Sequence, residues 1–363
     1  MKIGVLGAGQ LGRMLALAGY PLGFQFRFLD HNPAACAGQV GELIVGEFND
    51  YRALDRFVDG LDVVTYEFEN VPVEAAQYLS SKLPVLPGAQ ALATAQDRAA
   101  EKSCFKELGI PTPLNHNVND ESDISKALGV TGLPAVFKTR RHGYDGKGQL
   151  VAHSEAEALQ AWEKLGRVPL ICEQHVPFER ELSMVAARQI TGECVFYPLT
   201  ENWHTEGILR KSVPQTNINL DLQSRAESKI RSVMDHLGYV GVMALEFFLH
   251  KGRLLANEMA PRVHNSGHWT MDAGCVSQFE NHLRAIAGLP LGSTQPLSIS
   301  AMINLIGHAP EVDSILRAEP TARVHLYGKD PKPGRKLGHI NITAPGLESL
   351  KRKTERLSKL VGG

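Results

Sequence analysis

The segment Leu245–Arg262, LEFFLHKGRLLANEMAPR, contains the residues that narrow the chemistry of this chain most. Apolar runs on both sides of its central lysine–glycine pair predict two antiparallel strands joined by a tight turn. With a turn of two or three residues, Glu246 lies opposite Asn257 or Glu258, and such facing side chains have Cβ atoms roughly 5 Å apart. Glu246 and Glu258 are therefore candidate ligands for one or two magnesium ions. The alternative is a salt bridge between Glu246 and a nearby arginine.

A second segment, Phe137–Gln149, FKTRRHGYDGKGQ, is basic and contains three glycines within six residues. Glycine-rich loops let backbone amides approach phosphate closely, although the spacing here is not that of a Walker loop. A cationic glycine loop and a pair of carboxylates together predict a site for a magnesium nucleotide. The alternative is a solvated basic hairpin.

Composition excludes several classes of protein. The 363 residues carry 38 basic and 39 acidic side chains, so a large surface for nucleic acid is not expected. The five cysteines are scattered and never spaced as C-x-x-C, which argues against a disulfide framework or a zinc site. No leader or membrane-spanning run is evident, and we expect a cytoplasmic protein without a membrane partner.

The order of elements predicts an α/β (α+β) protein of three units. Short apolar strands alternate with helices in residues 1–88, which predicts a doubly wound parallel sheet. Residues 89–290 begin with a predicted helix at 89–108 and are then rich in strands. Residues 291–363 predict a small β-rich unit that ends in a helix at about 347–360.

The N-terminal loop Gly7–Gly12 has the G-x-G-x-x-G spacing, follows a strand and precedes a helix, and Asp30 lies eighteen residues farther on. This arrangement fits NAD(P) binding, but it equally fits any phosphate held by helix-terminal amides. It also fits a tight turn that only allows close packing.

Three other segments supply candidate residues for binding a polar substrate. Glu67 and Glu69 follow a buried strand, at the sheet edge where ligands collect in doubly wound folds. His264 and His268 are four residues apart, but no helix is expected there and a zinc site is disfavoured. Arg262, His264 and Asn265 are better suited to an anion or polar substrate. The basic loop 327–336 is either a phosphate clamp or a solvated turn.

Taken together, these motifs resemble the ATP-grasp superfamily. More narrowly, they are similar to the 5-(carboxyamino)imidazole ribonucleotide synthetase family of ATP- and bicarbonate-dependent carboxylases in purine biosynthesis. The segments that carry the resemblance are GAGQLGRM, TYEFENV, DRAAEK, GYDGKGQ, EQHV, FEREL, YPLTENWH, GVMALEFF, NEMAPRVHNSGHWT and PGRKLGHIN. The resemblance implies an ATP-grasp fold with a Rossmann-like N-terminal domain (1–88), an ATP-grasp domain (89–290) and a β-rich C-terminal subdomain (291–363). The ATP-grasp domain would comprise a lid at about 110–172 and a nucleotide and metal lobe at about 173–290.

The resemblance also implies roles for individual residues. Residues implied to bind ATP are Arg98, Lys138, Gly143, Tyr144, Asp145, Gly146, Lys147, Gly148, Gln149, Glu173, Gln174, His175, Val176, Glu181, His204, Asn257 and Glu258. Residues implied to bind the imidazole ribonucleotide are Glu67, Tyr144, Lys147, Arg262, His264, Asn265, Lys329, Arg335 and Lys336, the last two with the Gly7–Gly12 loop near its 5′-phosphate. Glu246 and Glu258 would hold the metal. Arg262, Lys147 and His264 would serve catalysis, with His264 or the released phosphate accepting the proton of the amine.

The implied substrates are aminoimidazole ribonucleotide, bicarbonate and ATP, with Mg²⁺ (or Mn²⁺) as the metal, in a homodimer. One rival is another ATP-grasp ligase, such as a formate-dependent glycinamide ribonucleotide transformylase. A rival of another class is an NAD(P)-dependent oxidoreductase built on the N-terminal loop. A third is a nucleotide-binding regulator without turnover.

Overall fold

The computed structural model describes residues 1–143, 146–215 and 220–362, which fold into three sheets with flanking helices. The strands are β1 Lys2–Leu6, β2 Gln25–Asp30, β3 Glu42–Val45, β4 Val63–Tyr66, β5 Asn115–Val118, β6 Ala135–Thr139, β7 Gln149–Ala152, β8 Leu170–Gln174, β9 Arg180–Arg188, β10 Cys194–Phe196, β11 Thr200–Thr205, β12 Ile208–Pro214, β13 Gly241–His250, β14 Arg253–Ala260, β15 Ile299–Ile306, β16 Arg323–Leu326 and β17 Lys336–Ala344. The helices are α1 Gln10–Gly19, α2 Tyr51–Val58, α3 Val73–Ser80, α4 Ala89–Gln96, α5 Arg98–Glu107, α6 Asp123–Thr131, α7 Glu155–Lys164, α8 Leu220–His236, α9 Gln278–Ile286, α10 Val312–Ala318 and α11 Leu347–Leu360. Short 3-10 helices cover Tyr20–Leu22, Cys36–Gln39 and Asn265–Met271.

The N-terminal sheet is parallel, with strand order β3-β2-β1-β4. Its central strand β1 is apolar and almost wholly buried, as expected where both faces of a parallel sheet are covered. The prediction of a doubly wound α/β unit is confirmed. The short strand predicted at 85–86 is reduced to a single bridge between Val85 and Val64.

The second sheet is antiparallel, with order β5-β8-β6-β7, and lies within the region predicted as the lid. It has its own core, in which Phe137 and Trp162 are buried between the sheet and helices α6 and α7. Lys138 lies next to the end of β6 and is also buried. The basic glycine loop joins β6 to β7.

The third sheet has the order β14-β13-β9-β11-β12-β15-β17-β16, with β10 paired to β9. Its C-terminal strands join the rest where β12 pairs with β15, at Lys211↔Ile303 and Ser212↔Met302. The nucleotide lobe and the β-rich C-terminal residues therefore share one sheet. The domain boundaries near residues 88 and 290 stay predictions.

Two predictions of helices were wrong. The helix predicted at 89–108 is two helices, because Asp97 is extended (φ −124°, ψ 112°) and its side chain caps α5 by accepting from the Ala99 amide. A 3-10 helix covers Asn265–Met271, where no helix was expected. It is capped by the His264 side chain, which accepts from the Ser266 amide. None of the helices in the described ranges combines the length and apolar character that a membrane span requires.

Candidate active site

The hairpin β13–β14 brings its two carboxylates into direct opposition. Glu246 pairs with Glu258 across the strands, and the register shifts between Glu246 and Phe247. Glu258 Oε2 lies 3.0 Å from Arg98 Nη1, and Glu246 Oε1 lies 3.2 Å from His264 Nε2. The predicted pairing of the two carboxylates is confirmed. The alternative was a salt bridge between Glu246 and an arginine, but the carboxylate that pairs with an arginine is Glu258.

The electrostatics of this carboxylate pair favour a cation. Burial raises the pKa of Glu246, and the neighbouring Glu258 carboxylate raises it further. Burial also acts to raise the pKa of Glu258, but Arg98 and Lys138 lower it, and the net shift is downward. Two carboxylates in mutual repulsion are the ligands that a divalent cation would stabilise.

Beside this pair lies a buried network of opposite charges. Lys138 Nζ is 2.6 Å from Glu173 Oε2 and 3.3 Å from Asn257 Oδ1. Lys102 Nζ lies 3.5 Å from Glu173 and 3.6 Å from Glu101, and donates to the Asn257 carbonyl. Burial acts to raise the pKa of Glu173, yet Lys102 and Lys138 bring it down to about 2. The cations next to the metal candidates are therefore fixed by ionised partners.

These groups open into a cavity of about 880 Å³ between the antiparallel lid sheet and the large sheet. This volume is within the usual range for a nucleotide-sized ligand. Every described residue that was predicted by itself to form the site lines this cavity, with the exception of Gly148; of the Gly7–Gly12 loop, Gly9, Gln10 and Leu11 line it. Tyr144 and Asp145 lie outside the described residues. The structure thus brings together a set of residues scattered from Glu67 to Lys336.

The linker Glu173–Val176 lies at one end of the cavity, where it was predicted to hold adenine. The Gln174 amide donates to the Leu114 carbonyl and the His175 amide to the Pro134 carbonyl, so these two amides are already used. Nearby, the rings of Phe178 and Phe248 stack with centroids 4.8 Å apart and line the cavity. These aromatic side chains form an apolar wall suited to a base.

Glu181 and His204 form a polar pair in the same wall. His204 Nδ1 lies 2.8 Å from Glu181 Oε2, and both residues line the cavity. Burial acts to lower the pKa of His204, but the hydrogen bond with Glu181 raises it, and the net shift is upward. Contact of this pair with the ribose and nucleotide stays a prediction.

The glycine loop of the lid packs onto the turn between β11 and β12. A Cβ atom at Gly146 would lie 2.9 Å from the Glu206 carbonyl oxygen, and the positive φ of Gly146 (75°) also favours glycine. Lys147, at the same tip, is exposed and lines the cavity. The described part of the loop thus lies against the cavity, and its predicted role of covering the ATP phosphates stays a prediction.

The N-terminal glycine loop is filled by a side chain of the protein itself. The Gly9 amide donates to Glu67 Oε1 and the Gly12 amide donates to Glu67 Oε2 at 2.7 Å. Asp30 Oδ2 accepts from the Ala8 amide at 2.9 Å. In an NAD(P) site, these amides would hold the pyrophosphate and Asp30 would hold the ribose. Because these groups are hydrogen-bonded within the protein instead, an NAD(P) site is disfavoured.

Arg262 and His264 lie between the carboxylate pair and the N-terminal sheet. Arg262 Nε pairs with Glu69 Oε2, and its Nη1 donates to the Val263 carbonyl at 3.1 Å. Burial acts to raise the pKa of Glu69, but Arg262 lowers it to about 2. Burial lowers the pKa of His264 well below the ordinary range, and Arg262 adds to this effect. Arg262 is therefore fixed as a cation and His264 as a neutral imidazole.

The basic C-terminal loop closes the remaining side of the cavity. Lys329, Arg335 and Lys336 all line it, and Lys329 Nζ donates to the Gln10 side chain at the start of α1. Within the described part of the chain, both polar atoms of the Asn265 side chain are buried without a hydrogen-bond partner. An unsatisfied amide in the same cavity as three cationic side chains suits a polar, anionic ligand.

Several residues of the site were not singled out by the sequence patterns. They are Glu101, Lys102, Phe178 and Phe248. Glu69 was named with Glu67 as a candidate, but its pairing with Arg262 was not predicted. Lys102 shares a helical face with Arg98, which is the only local signal of its role.

The donor set fits magnesium. The described residues contain no cluster of three or more His, Cys, Asp or Glu side chains able to hold a metal ion. A cation here would thus depend on Glu246, Glu258, phosphate oxygens and water. Mg²⁺ is commonly bound in this way, by one or two carboxylates together with substrate phosphates.

Comparison with known proteins covers nearly the whole chain. Three family models match in succession: the ribonucleotide synthetase preATP-grasp domain over residues 1–96, the ATP-grasp domain over 103–279, and the phosphoribosylaminoimidazole carboxylase C-terminal domain over 300–353. The N5-carboxyaminoimidazole ribonucleotide synthase of Pseudomonas aeruginosa is 50% identical over 361 residues, with 99% of each chain covered.

Two crystal structures extend this similarity to three dimensions. The N5-carboxyaminoimidazole ribonucleotide synthetase of Thermus thermophilus has a TM-score of 0.95 and 56% identity, with 99% of each chain covered. The Aspergillus clavatus N5-carboxyaminoimidazole synthase, solved with ADP and 5-aminoimidazole ribonucleotide, has a TM-score of 0.90 and 31% identity, covering 99% of this chain and 98% of that chain.

The fold and the cavity between its two antiparallel sheets place the protein in the ATP-grasp class of ATP-dependent ligases. The 50% identity to the Pseudomonas aeruginosa protein, over 99% of both chains, identifies one family within this class. The chain belongs to the N5-carboxyaminoimidazole ribonucleotide synthase family, the ATP-dependent carboxylases of purine biosynthesis that the sequence motifs resemble.

Proposed function

We propose that this protein transfers the γ-phosphoryl group of ATP to bicarbonate and uses the product to carboxylate the exocyclic amine of aminoimidazole ribonucleotide. The products are 5-(carboxyamino)imidazole ribonucleotide, ADP and phosphate. The observation that carries this proposal is the facing pair Glu246 and Glu258, which lies beside Arg98 and Lys138 at the cavity wall.

The first step moves the phosphoryl group to a bicarbonate oxygen, giving carboxyphosphate and ADP. Arg98 and Lys138 are fixed cations that stabilise negative charge on the phosphates, and such electrostatic stabilisation supplies most of the catalysis in phosphoryl transfer. Glu246 and Glu258 would hold Mg²⁺, which neutralises charge on the triphosphate when bound. Arg262, held by Glu69, is suited to position bicarbonate and its phosphorylated product.

In the second step, the amine nitrogen forms a bond with the carboxyl carbon of carboxyphosphate, and the bond between that carbon and the phosphate oxygen breaks. Alternatively, that carbon–oxygen bond breaks first, and the amine nitrogen bonds to the carbon dioxide released. The amine loses a proton. His264 Nδ1 accepts from the Ser266 amide, and its Nε2 lies 3.2 Å from Glu246. Because both ring nitrogens are engaged and the pKa of His264 is lowered, we assign the proton to the released phosphate.

The remaining residues of the cavity wall fit the ribonucleotide. Lys329, Arg335 and Lys336 supply positive charge for its 5′-phosphate, and Asn265 supplies an unsatisfied amide for the base or ribose. Since the amides of Gly7, Ala8, Gly9 and Gly12 are already engaged, the N-terminal loop contributes to this end through Gln10 and Leu11, which line the cavity.

Phosphate release separates this function from its rivals. We expect release to require ATP and bicarbonate and to rise sharply on addition of aminoimidazole ribonucleotide. Stimulation by formate with glycinamide ribonucleotide would instead support the transformylase. Saturable ATP binding without any ADP formation would support a regulator, and tight NAD(P) binding an oxidoreductase.

Lys147→Ala is expected to uncouple ATP hydrolysis from carboxylation. Lys147 lies at the tip of the loop that covers the cavity, and carboxyphosphate hydrolyses when water enters. The measurement is the ratio of phosphate released to carboxylated product formed, which should increase several-fold. Lys126→Ala, on an exposed face of α6 in the same lid, is the matched control. An unchanged ratio in Lys147→Ala would contradict the role of the loop.

A homodimer in the cytoplasm stays a prediction. Sedimentation of the purified protein over a range of concentrations measures its oligomeric state directly.

A further inference from the structure

Four buried polar side chains form a continuous path through the core of the large sheet to the active site. They are Ser212 on β12, Asn202 on β11, Ser183 on β9 and Ser266 on the 3-10 helix, and we call them the polar relay. Each is at most 5% exposed. The elements that carry them also supply apolar side chains to the main core, such as Val185 on β9, Leu209 on β12 and Trp269 on the 3-10 helix.

The hydrogen bonds of the polar relay all run in one direction. Ser212 Oγ donates to Asn202 Oδ1 at 2.7 Å, and Asn202 Nδ2 donates to Ser183 Oγ at 2.9 Å. Ser183 Oγ then donates to Ser266 Oγ at 2.8 Å. Because Ser266 Oγ accepts from Ser183, its own hydroxyl proton can be donated to His264 Nδ1, which lies 2.8 Å from Ser266 Oγ.

This direction determines which nitrogen of His264 carries the proton. Both the Ser266 hydroxyl and the Ser266 amide approach Nδ1, and a backbone amide can only donate. Nδ1 must therefore be the acceptor, so Nε2 carries the proton and lies 3.2 Å from Glu246 Oε1. In the other tautomer, a lone pair on Nε2 would oppose the carboxylate at this distance.

Burying four polar side chains in an apolar core is costly unless they are hydrogen-bonded, and apolar residues would stabilise the core more simply. We propose that the polar relay is a positioning device for the metal site. It holds His264 in the Nε2–H tautomer, and the Nε2–H group, 3.2 Å from Glu246 Oε1, in turn orients the Glu246 carboxylate as a ligand for the divalent cation. This inference rests on the proposed function only in assigning Glu246 to the metal.

The first test uses the unmodified protein. The nitrogen chemical shifts of ¹⁵N-histidine-labelled protein distinguish the two tautomers. The His264 signals are identified as those that disappear in His264→Gln. We expect the Nε2–H form with little population of the other. A predominant Nδ1–H form would overturn the proposal, and this measurement does not depend on whether any relay variant folds.

The second test measures metal affinity by titrating Mn²⁺ with a non-hydrolysable ATP analogue and detecting free Mn²⁺ by electron paramagnetic resonance. Ser183→Ala interrupts the polar relay at a residue whose hydroxyl is bonded to Asn202 and Ser266; Ser183 is the strand neighbour of Glu246 on β9, and alanine leaves that backbone pairing in place. We expect the Kd for Mn²⁺ to rise about 10-fold. Loss of a group that hydrogen-bonds to a metal ligand weakens metal binding by roughly 10- to 100-fold, and this value is at the lower end of that range. Ser266→Ala should have a similar effect, and Ser183→Cys, a weaker donor of similar shape, an intermediate one.

The matched control is Ser300→Ala on β15 of the same sheet. Ser300 is 1% exposed, and its Oγ has no hydrogen-bond partner among the residues that the structure describes. We expect its Kd for Mn²⁺ to equal that of the unmodified protein. An unchanged Kd in Ser183→Ala, or equal weakening in Ser183→Ala and Ser300→Ala, would overturn the proposal. The proposed carboxylation is judged separately, by phosphate release that depends on aminoimidazole ribonucleotide.

Discussion

Glu258→Gln is expected to reduce ADP formation by about 1,000-fold, because it removes one of two facing ligands for the metal that neutralises the transferring phosphoryl group. The substitution keeps the shape of the side chain and removes its charge. It also leaves Arg98 without its carboxylate partner at 3.0 Å. Single-turnover ADP formation at saturating Mg²⁺ and ATP measures the effect on chemistry directly.

The fold should tolerate this change. The Glu258 side chain is 40% exposed, so glutamine meets water there, and Arg98, at 17% exposed, keeps the nearby carboxylates of Glu101 and Glu173. The melting temperature should therefore stay close to that of the unmodified protein. Glu163→Gln, which breaks the exposed pair with Arg167 on the lid, is a control that should leave ADP formation unchanged. Near-normal turnover in folded Glu258→Gln would refute the metal assignment.

Arg262→Gln is expected to lower the rate of carboxylation by about 100- to 1,000-fold, the effect of losing one fixed group that stabilises an anion in the reaction. The affinity for ATP should change little, since Arg98, Lys138 and the lid remain in place. The informative measurements are the rate of product formation and, separately, the Kd of a non-hydrolysable ATP analogue. A parallel loss of both would show that Arg262 supports the nucleotide site in general.

This variant should also be less stable, because Glu69 loses the cation that holds its pKa at about 2. A lowered carboxyl pKa stabilises the fold above the unfolded value of about 4.3, and that contribution disappears as the pH falls toward 2. Combining Arg262→Gln with Glu69→Gln removes the unpaired charge. The double variant should recover the melting temperature at pH 7 without recovering carboxylation, which separates stability from catalysis.

The sequence predicted most of the architecture because its signals are local. Alternating apolar strands and helices predicted the parallel N-terminal sheet. The tight turn in Leu245–Arg262 predicted that Glu246 faces Asn257 or Glu258, and the structure has the pairing with Glu258. The C-terminal helix was predicted with the bounds that it has, Leu347–Leu360. A family resemblance then linked residues that lie far apart in the chain.

What the sequence did not predict depends on contacts between distant elements. Lys102 on α5 meets Glu173 on β8 only after the lid and the helix pack together. Glu69 gains its importance from Arg262, 193 positions later in the chain. The break at Asp97 was missed because the residues on both sides are good helix formers, and only capping of Ala99 and pairing with Arg140 favour the interruption.

The pairing of β12 with β15 has a consequence for any attempt to shorten the protein. Removing residues from Ile299 onward would expose the edge of β12, and such unpaired strand edges invite aggregation. The same cut would remove the cations that face the carboxylates across the cavity. A minimal ATPase therefore cannot be obtained by trimming this chain from its C-terminal end, whereas the antiparallel lid, with a core of its own, is the part best suited to isolation and separate study.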